Sequence, residues 1–159
     1  MKSDYIKELR SKIGHMAIFS PVVTLIIYKE GKILLQKRED NGCWAIHGGG
    51  IEPGEKYIDA LKREIKEELN IIPKNPVLMG IFSGEELFNT YPNGDKVYVL
   101  NHVFFCDEYD GEINFNDGEV KELKWFDLKE LPDNLFKVNE PIIKDVQRFI
   151  KEDRKAIVN

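Results

Sequence analysis

The chain is short of cysteine, of positive charge and of long apolar runs, and each shortage closes off a class of protein. Its two cysteines, Cys43 and Cys106, are too few for a disulfide framework and lack metal-ligand spacing. Lys and Arg number 23 against 28 Asp and Glu, a formal charge of −5, the reverse of what a broad duplex-binding surface needs. The longest apolar stretch, near Val22 to Tyr28, is interrupted by Thr24 and is far shorter than a membrane span. The first residues, MKSDYIKELRSKIGH, are charged throughout and do not read as a secretory signal. Repeats, low-complexity tracts and linkers are also missing. The expectation is a soluble cytoplasmic protein of one domain, residues 1–159, without a duplex nucleic-acid or membrane partner. A homodimer is left open. A small phosphorylated ligand also stays open, because a divalent cation bridges an acidic protein to an acidic ligand.

With 42% apolar and 32% charged residues, the chain has the composition of a folded domain. Apolar spacing predicts a short helix from Asp4 to Ile13, inside an N-terminal extension covering residues 1–17. Strands are predicted at Val22 to Tyr28, Lys32 to Arg38, Val77 to Phe82, Lys96 to Cys106 and Glu122 to Phe126, with turns at Glu30-Gly31 and Tyr91 to Asp95. A short apolar piece, Cys43 to Ile46, leads into a loop of three glycines, Gly48 to Gly50. A strong helix is predicted from Glu55 to Leu69 and a last one from Glu140 to Lys151. Strands and helices in this order point to an α/β (α+β) sandwich with a mixed sheet between helices.

The central helix carries the chemistry. On a wheel of about 100° per residue, Ile58, Leu61, Ile65 and Leu69 form one apolar stripe. Glu64 and Glu68 lie about 40° apart along its edge, and Glu67 about 60° further round. Like charges four residues apart destabilise a helix, and partial burial sharpens the repulsion. Arg63 is placed to pair with Glu67. An oxygen-loving divalent ion, Mg²⁺ or Mn²⁺, would relieve the conflict. Alone, such a helix reads as a solvated face. The glycine run in front of it, which lets backbone approach a ligand closely, makes the combination more specific.

The segment resembles the Nudix box, G-x5-E-x7-R-E-U-x-E-E-x-G-U, over residues 49–71, with U a bulky aliphatic residue. Gly49, Glu55, Arg63, Glu64, Ile65, Glu67, Glu68 and Ile71 match eight of its nine specified positions. The exception is Asn70 in place of glycine, a mild change because Asn tolerates the left-handed helix cap. His47 stands where many members have proline and reads as a plain substitution in preference to a new polar contact near the metal loop. Looser similarity extends over Leu34 to Arg38, Trp125 to Pro132 and Asn139 to Ile143, the last resembling MutT-type enzymes.

The resemblance implies hydrolysis of a diphosphate linkage in a nucleoside diphosphate joined to another group. It makes Glu64, Glu67, Glu68 and the Gly48 carbonyl metal ligands, with Glu64 also a candidate proton acceptor. Arg63 would orient the carboxylates, and Glu55 would fix the loop and the helix start. Glu119 occupies a loop that supplies a further acidic group in relatives, although an exposed turn residue reads as well. Arg38 and Asn139 match substrate-contacting positions of MutT-type enzymes; the alternatives are a strand-end surface charge for Arg38 and an equally natural N-cap role for Asn139. Tyr91 is a candidate to stack a base, against core packing of Tyr91, Phe88 and Tyr98. The Arg38 and Asn139 matches favour a nucleoside triphosphate, 8-oxo-dGTP among them. ADP-ribose or another nucleotide sugar, an RNA 5′ end, and a nucleotide-sensing module without catalysis are the alternatives.

Overall fold

A computed structural model describes residues 5–115 and 118–159. The helix start expected at Asp4 therefore lies outside the described residues. In chain order the elements are α1 (Tyr5–Ile13), β1 (Ile18–Lys29), β2 (Lys32–Arg38), β3 (Trp44–Ala45), β4 (His47–Gly50), α2 (Tyr57–Leu69), β5 (Ile72–Pro73), β6 (Val77–Phe82) and β7 (Phe88–Thr90). There follow β8 (Lys96–Cys106), β9 (Tyr109–Asp110), β10 (Val120–Asp127), α3 (Glu140–Lys144), α4 (Val146–Lys151) and β11 (Ile157–Val158).

A nine-stranded mixed sheet runs in the order β10-β2-β1-β8-β6-β11, with β3 on β2, β4 on β1 and β7 on β8. The pairs β1–β8 and β6–β11 are parallel and the others antiparallel. A small second ladder joins β5 to β9. Successive side chains of β1 point to opposite faces, as the pleat of a strand requires. Val23, Leu25 and Ile27 pack with Leu61, Ile65 and Leu69 of α2. Ile26, with Val103 and Phe105 of β8, packs on the other side against Ile142, Val146 and Phe149 of the C-terminal helices. The sheet thus lies between helices, the layering expected of an α/β sandwich.

Four expectations need correction. The glycine run is a strand, not a loop: Val22 to Leu25 of β1 pair with Gly50 to His47 of β4. Strand β1 starts at Ile18, because its parallel partner β8 holds the backbone from Ile18↔Val97 onward. The C-terminal helix is broken at Asp145, whose N–H bonds to the Ile142 carbonyl only three residues back. Finally, α2 begins at Tyr57 instead of Glu55, and Ile58 in its first turn stays 37% exposed. Ala60 is buried instead, since the carboxylate edge of α2 lies against β4 rather than in solvent.

Candidate active site

The site is built where the sheet divides. Strand β1 pairs with β2 only at Tyr28 and Lys29, then continues with β4 as its neighbour from Leu25 back to Val22. A cavity of about 400 Å³ opens there, walled by Val22 and Thr24 of β1, Gln36 and Arg38 of β2, Asn101 of β8, and Val138 and Asn139 ahead of α3. Gly48, Gly49 and Glu68 form its rim.

The glycines are demanded by closeness. At Gly48 φ is +140° and an added Cβ would lie 2.1 Å from the Val23 carbonyl oxygen. At Gly49 an added Cβ would collide with the carboxylate of Glu64. Against β4, Glu68 accepts a hydrogen bond from Gly48 N–H at 3.0 Å. Its side chain is only 10% exposed. Burial pushes its carboxyl up to about 8, a shift the Gly48 N–H opposes and the Glu64 charge reinforces.

Arg63 is the hub that orders this edge. Its Nε and Nη2 donate to the two oxygens of Glu55, both at 2.8 Å, and its Nη1 donates to Glu64 at 2.6 Å. A further bond reaches the Gly50 carbonyl at 3.0 Å. Glu55 in turn accepts from the Glu52 N–H, and its bonds to Arg63 hold its carboxyl below the usual range. The pairing expected between Arg63 and Glu67 is a long 3.8 Å contact; Glu55 and Glu64 are the principal partners, because Glu67 stays 41% exposed. Asn70 ends α2 in the left-handed conformation, φ 59° and ψ 24°, and accepts from Lys66 through Oδ1.

His47 is not a plain substitution. It is fully buried, and its Nε2 lies 3.1 Å from the Leu34 carbonyl, which requires Nε2 to carry the proton and donate. Burial lowers its pKa to about 4, so the ring is neutral at ordinary pH. Nδ1, which has no hydrogen-bond partner among the described residues, stands 3.9 Å from Glu68. A polar ring therefore backs the most buried carboxylate of the row.

The remaining expected residues fall around the same cavity. Arg38 pairs with Asp40 through two bonds, 2.9 and 2.6 Å, and its guanidinium lies over the Phe136 ring. Asn139 makes no side-chain cap; its Oδ1 accepts from Ile46 N–H at 3.1 Å, and the residue lines the cavity. Tyr91 and Glu119 line the cavity as well, whereas Phe88 and Tyr98 pack on each other with centroids 4.9 Å apart. Gln36, Thr24 and Asn101 escape sequence reading. The Thr24 hydroxyl donates to Asn101 Oδ1 at 2.8 Å, and Gln36 Oε1 is buried without a partner among the described residues. Their only signal is polarity inside apolar strands.

The donor set suits a hard cation: carboxylates, a backbone carbonyl, and a buried Glu68 with no cationic side chain paired to it among the described residues. As they stand, the described residues do not converge into a group of three that would hold an ion, since Glu64 is turned onto Arg63 and Glu67 stands apart.

A mixed sheet between helices, split to admit a ligand beside a glycine-backed carboxylate row, is the architecture of hydrolases that cleave nucleoside diphosphate derivatives. Solved structures share the fold. The MutT NUDIX hydrolase of Burkholderia pseudomallei superposes with a TM-score of 0.69 at 26% identity, covering 81% of this chain and 98% of that one. The MutT protein of Bacillus halodurans gives 0.63 at 27% identity, covering 79% and 80%. The family's model, described as the NUDIX domain, matches residues 19–146, and the chain belongs to that family of hydrolases. Among its relatives, an ADP-ribose pyrophosphatase of Methanocaldococcus jannaschii is 42% identical over 78% of this chain and 70% of that protein. The nucleoside triphosphatase NudI of Escherichia fergusonii is 36% identical over 69% and 83%. Nudix enzymes generally use divalent metal ions. No helix among the described residues is long and apolar enough to cross a membrane.

Proposed function

We propose that the chain hydrolyses the diphosphate linkage of a nucleoside diphosphate joined to a second group, with the base held beside Asn139 and the diphosphate at the Glu64–Glu68 edge. The observation that carries this reading is the shared rim. Gly48, Gly49, Glu68 and Glu119 border both the 400 Å³ cavity and a second one of about 310 Å³, so a substrate spanning the two crosses the carboxylates at its middle.

Glu64, Glu67, Glu68 and the Gly48 carbonyl would hold Mg²⁺ or Mn²⁺. Such ions supply charge neutralisation at the phosphoryl oxygens and acidify a bound water. Arg63 and Glu55 hold Glu64 in place, and Glu64 or Glu119 takes the proton of the attacking water. Arg38 and Asn139 support a nucleoside triphosphate as substrate, a reading in line with the name of NudI. The 42% identity to an ADP-ribose pyrophosphatase supports ADP-ribose.

A panel of nucleoside triphosphates, ADP-ribose, nucleotide sugars and 5′-triphosphorylated RNA, assayed with Mg²⁺ or Mn²⁺ and with products identified, tests the proposal. Two products split at a diphosphate are expected. Binding of nucleotides without turnover of any member would make the chain a sensor instead.

A further inference from the structure

Helix α1 and the residues just after it precede 19–146, the span matched by the family model, so their role is an addition to that span. The first residues of the helix, Tyr5 and Ile6, border the second cavity, while its other end is fastened to a turn of the sheet. The Arg10 side chain is only 11% exposed, on a helix that buries no residue. Its guanidinium donates to the carbonyls of Gly14 at 3.1 Å, Met16 at 2.5 Å and, across the fold, Lys96 at 2.8 Å. Its Nε lies 3.6 Å from Asp95 Oδ1. His15 Nδ1 meets the same oxygen at 2.8 Å, which requires that nitrogen to carry the proton. Two side chains from the N-terminal segment thus converge on two adjacent residues.

Those residues belong to a turn that forms part of the first cavity. Residues 91–95 join β7 to β8, and Tyr91 at the start of the turn lines the 400 Å³ cavity together with Arg38 and Asn139. The turn is closed on itself: Tyr91 N–H donates to the Asp95 carbonyl at 2.8 Å, and Gly94 N–H to the Tyr91 carbonyl at 2.9 Å. Asn93 Nδ2 donates to Asp95 Oδ2 at 3.1 Å, so the Asp95 carboxylate is held from the turn and from the N-terminal segment at once. At Gly94 an added Cβ would lie 3.6 Å from the His15 ring, which therefore packs against the turn. Strand β7 is three residues long and, among the described residues, pairs with β8 alone. A short ribbon paired on one side is weakly held by its own ladder. Arg10 and His15 supply its second attachment. A wall fixed before the ligand arrives leaves less ordering to be done on binding, and so strengthens it.

Resting on the proposed diphosphate hydrolysis, we infer that Arg10 and His15 are positioning residues for the nucleotide: through Asp95 and Lys96 they hold the 91–95 turn so that Tyr91 stands ready in the wall of the base cavity.

The test is a double-mutant cycle in the full chain, with Arg10→Ala and Tyr91→Ala made singly and together and KM read on GTP, CTP and ADP-ribose. Tyr91→Ala should raise KM about tenfold, the scale of losing a stacked aromatic. Arg10→Ala should raise it about three- to tenfold, with kcat within about twofold of wild type. The double variant should be no worse than Tyr91→Ala, because the brace then has no ring to place. Asp95→Asn, which keeps the residue's shape and removes the charge that Arg10 and His15 meet, should repeat the Arg10→Ala pattern, so the outcome does not depend on one variant folding. An unchanged KM in Arg10→Ala and Asp95→Asn, a full Arg10→Ala effect on top of Tyr91→Ala, or a loss confined to kcat overturns the inference and leaves diphosphate hydrolysis standing. Absence of any diphosphate cleavage by the wild-type protein overturns both.

Discussion

Gly49 lies so close beneath Glu64 that a Cβ atom there would stand 2.5 Å from the Glu64 Oε2. The two neighbouring glycines respond differently to a methyl group. In Gly49→Ala the obstruction is the end of a side chain that swings away, so stability should change by about 1 kcal/mol or less, while the displaced Glu64 lowers kcat about tenfold or more. In Gly48→Ala the obstruction is the Val23 carbonyl at 2.1 Å, in a backbone at φ +140°. About 3 kcal/mol or more of stability should be lost there. Urea midpoints beside initial rates separate the two.

Removing one carboxylate charge from the proposed metal edge should silence the enzyme without unfolding it. Glu64→Gln and Glu68→Gln are each expected to lower kcat by about 100-fold or more. Far-ultraviolet circular dichroism should stay unchanged. Near-normal turnover in both variants would remove the carboxylate row from the reaction.

Arg63 supports a separate expectation, because it holds Glu55 and Glu64 together through a fork of bonds. Lysine keeps the charge but cannot reach both partners in that geometry. Arg63→Lys should therefore lower kcat about 10- to 100-fold with little change in KM for the nucleotide. A rise in KM alone would mean that Arg63 touches substrate.

The buried Glu68 carboxyl, pushed up to about 8 from an ordinary 4.5, ties stability and metal binding to pH in opposite senses. The folded chain binds this proton more tightly than the unfolded one, so the stability that Glu68 contributes to the metal-free chain, read as the difference from Glu68→Gln, is full below about pH 4.5 and is lost as pH rises toward 8. Metal must displace that proton, so affinity for Mn²⁺ should rise up to about tenfold per pH unit from about pH 6 to about pH 8. Titration calorimetry at several pH values, beside thermal melts of the metal-free chain, reads both trends. A flat metal affinity over that range would place Glu68 outside the metal site.

Asn139 is tied to the scaffold through Ile46 and, in the proposed function, also meets the base. Because Oδ1 accepts from Ile46 N–H, Asn139→Ala leaves a buried donor unpaired and should reduce stability by about 1–3 kcal/mol. It should also raise KM for a guanine nucleotide more than for ADP-ribose if the Asn139 NH2 group reads the base. Equal effects on the two KM values would assign Asn139 to the scaffold alone.

The central helix and its glutamates were legible because a 3.6-residue period and a fixed motif spacing are properties of the sequence itself. The burial of Ala60 was not, since it follows from β4 lying along the carboxylate edge, a tertiary fact. The same long-range pairing turned Gly48 to Gly50 from an apparent loop into a strand: glycine signals backbone freedom or close approach, and spacing alone does not say which. His47 looked neutral for a related reason. Only the fold brings Leu34 and Glu68 to its two ring nitrogens. Gln36, Asn101 and the placement of Tyr5 depend on strands and a helix meeting across the sheet division, where neither periodicity nor motif carries information.

Helix α1 buries none of its residues. Its polar ties run through Arg10 and the following His15, and neither core cluster contains any of its residues. Changes in Tyr5 or Ile6 leave the packed interior untouched, whereas changes along α2 disturb both chemistry and packing. Exposed positions of this helix thus accept substitution at little risk to folding.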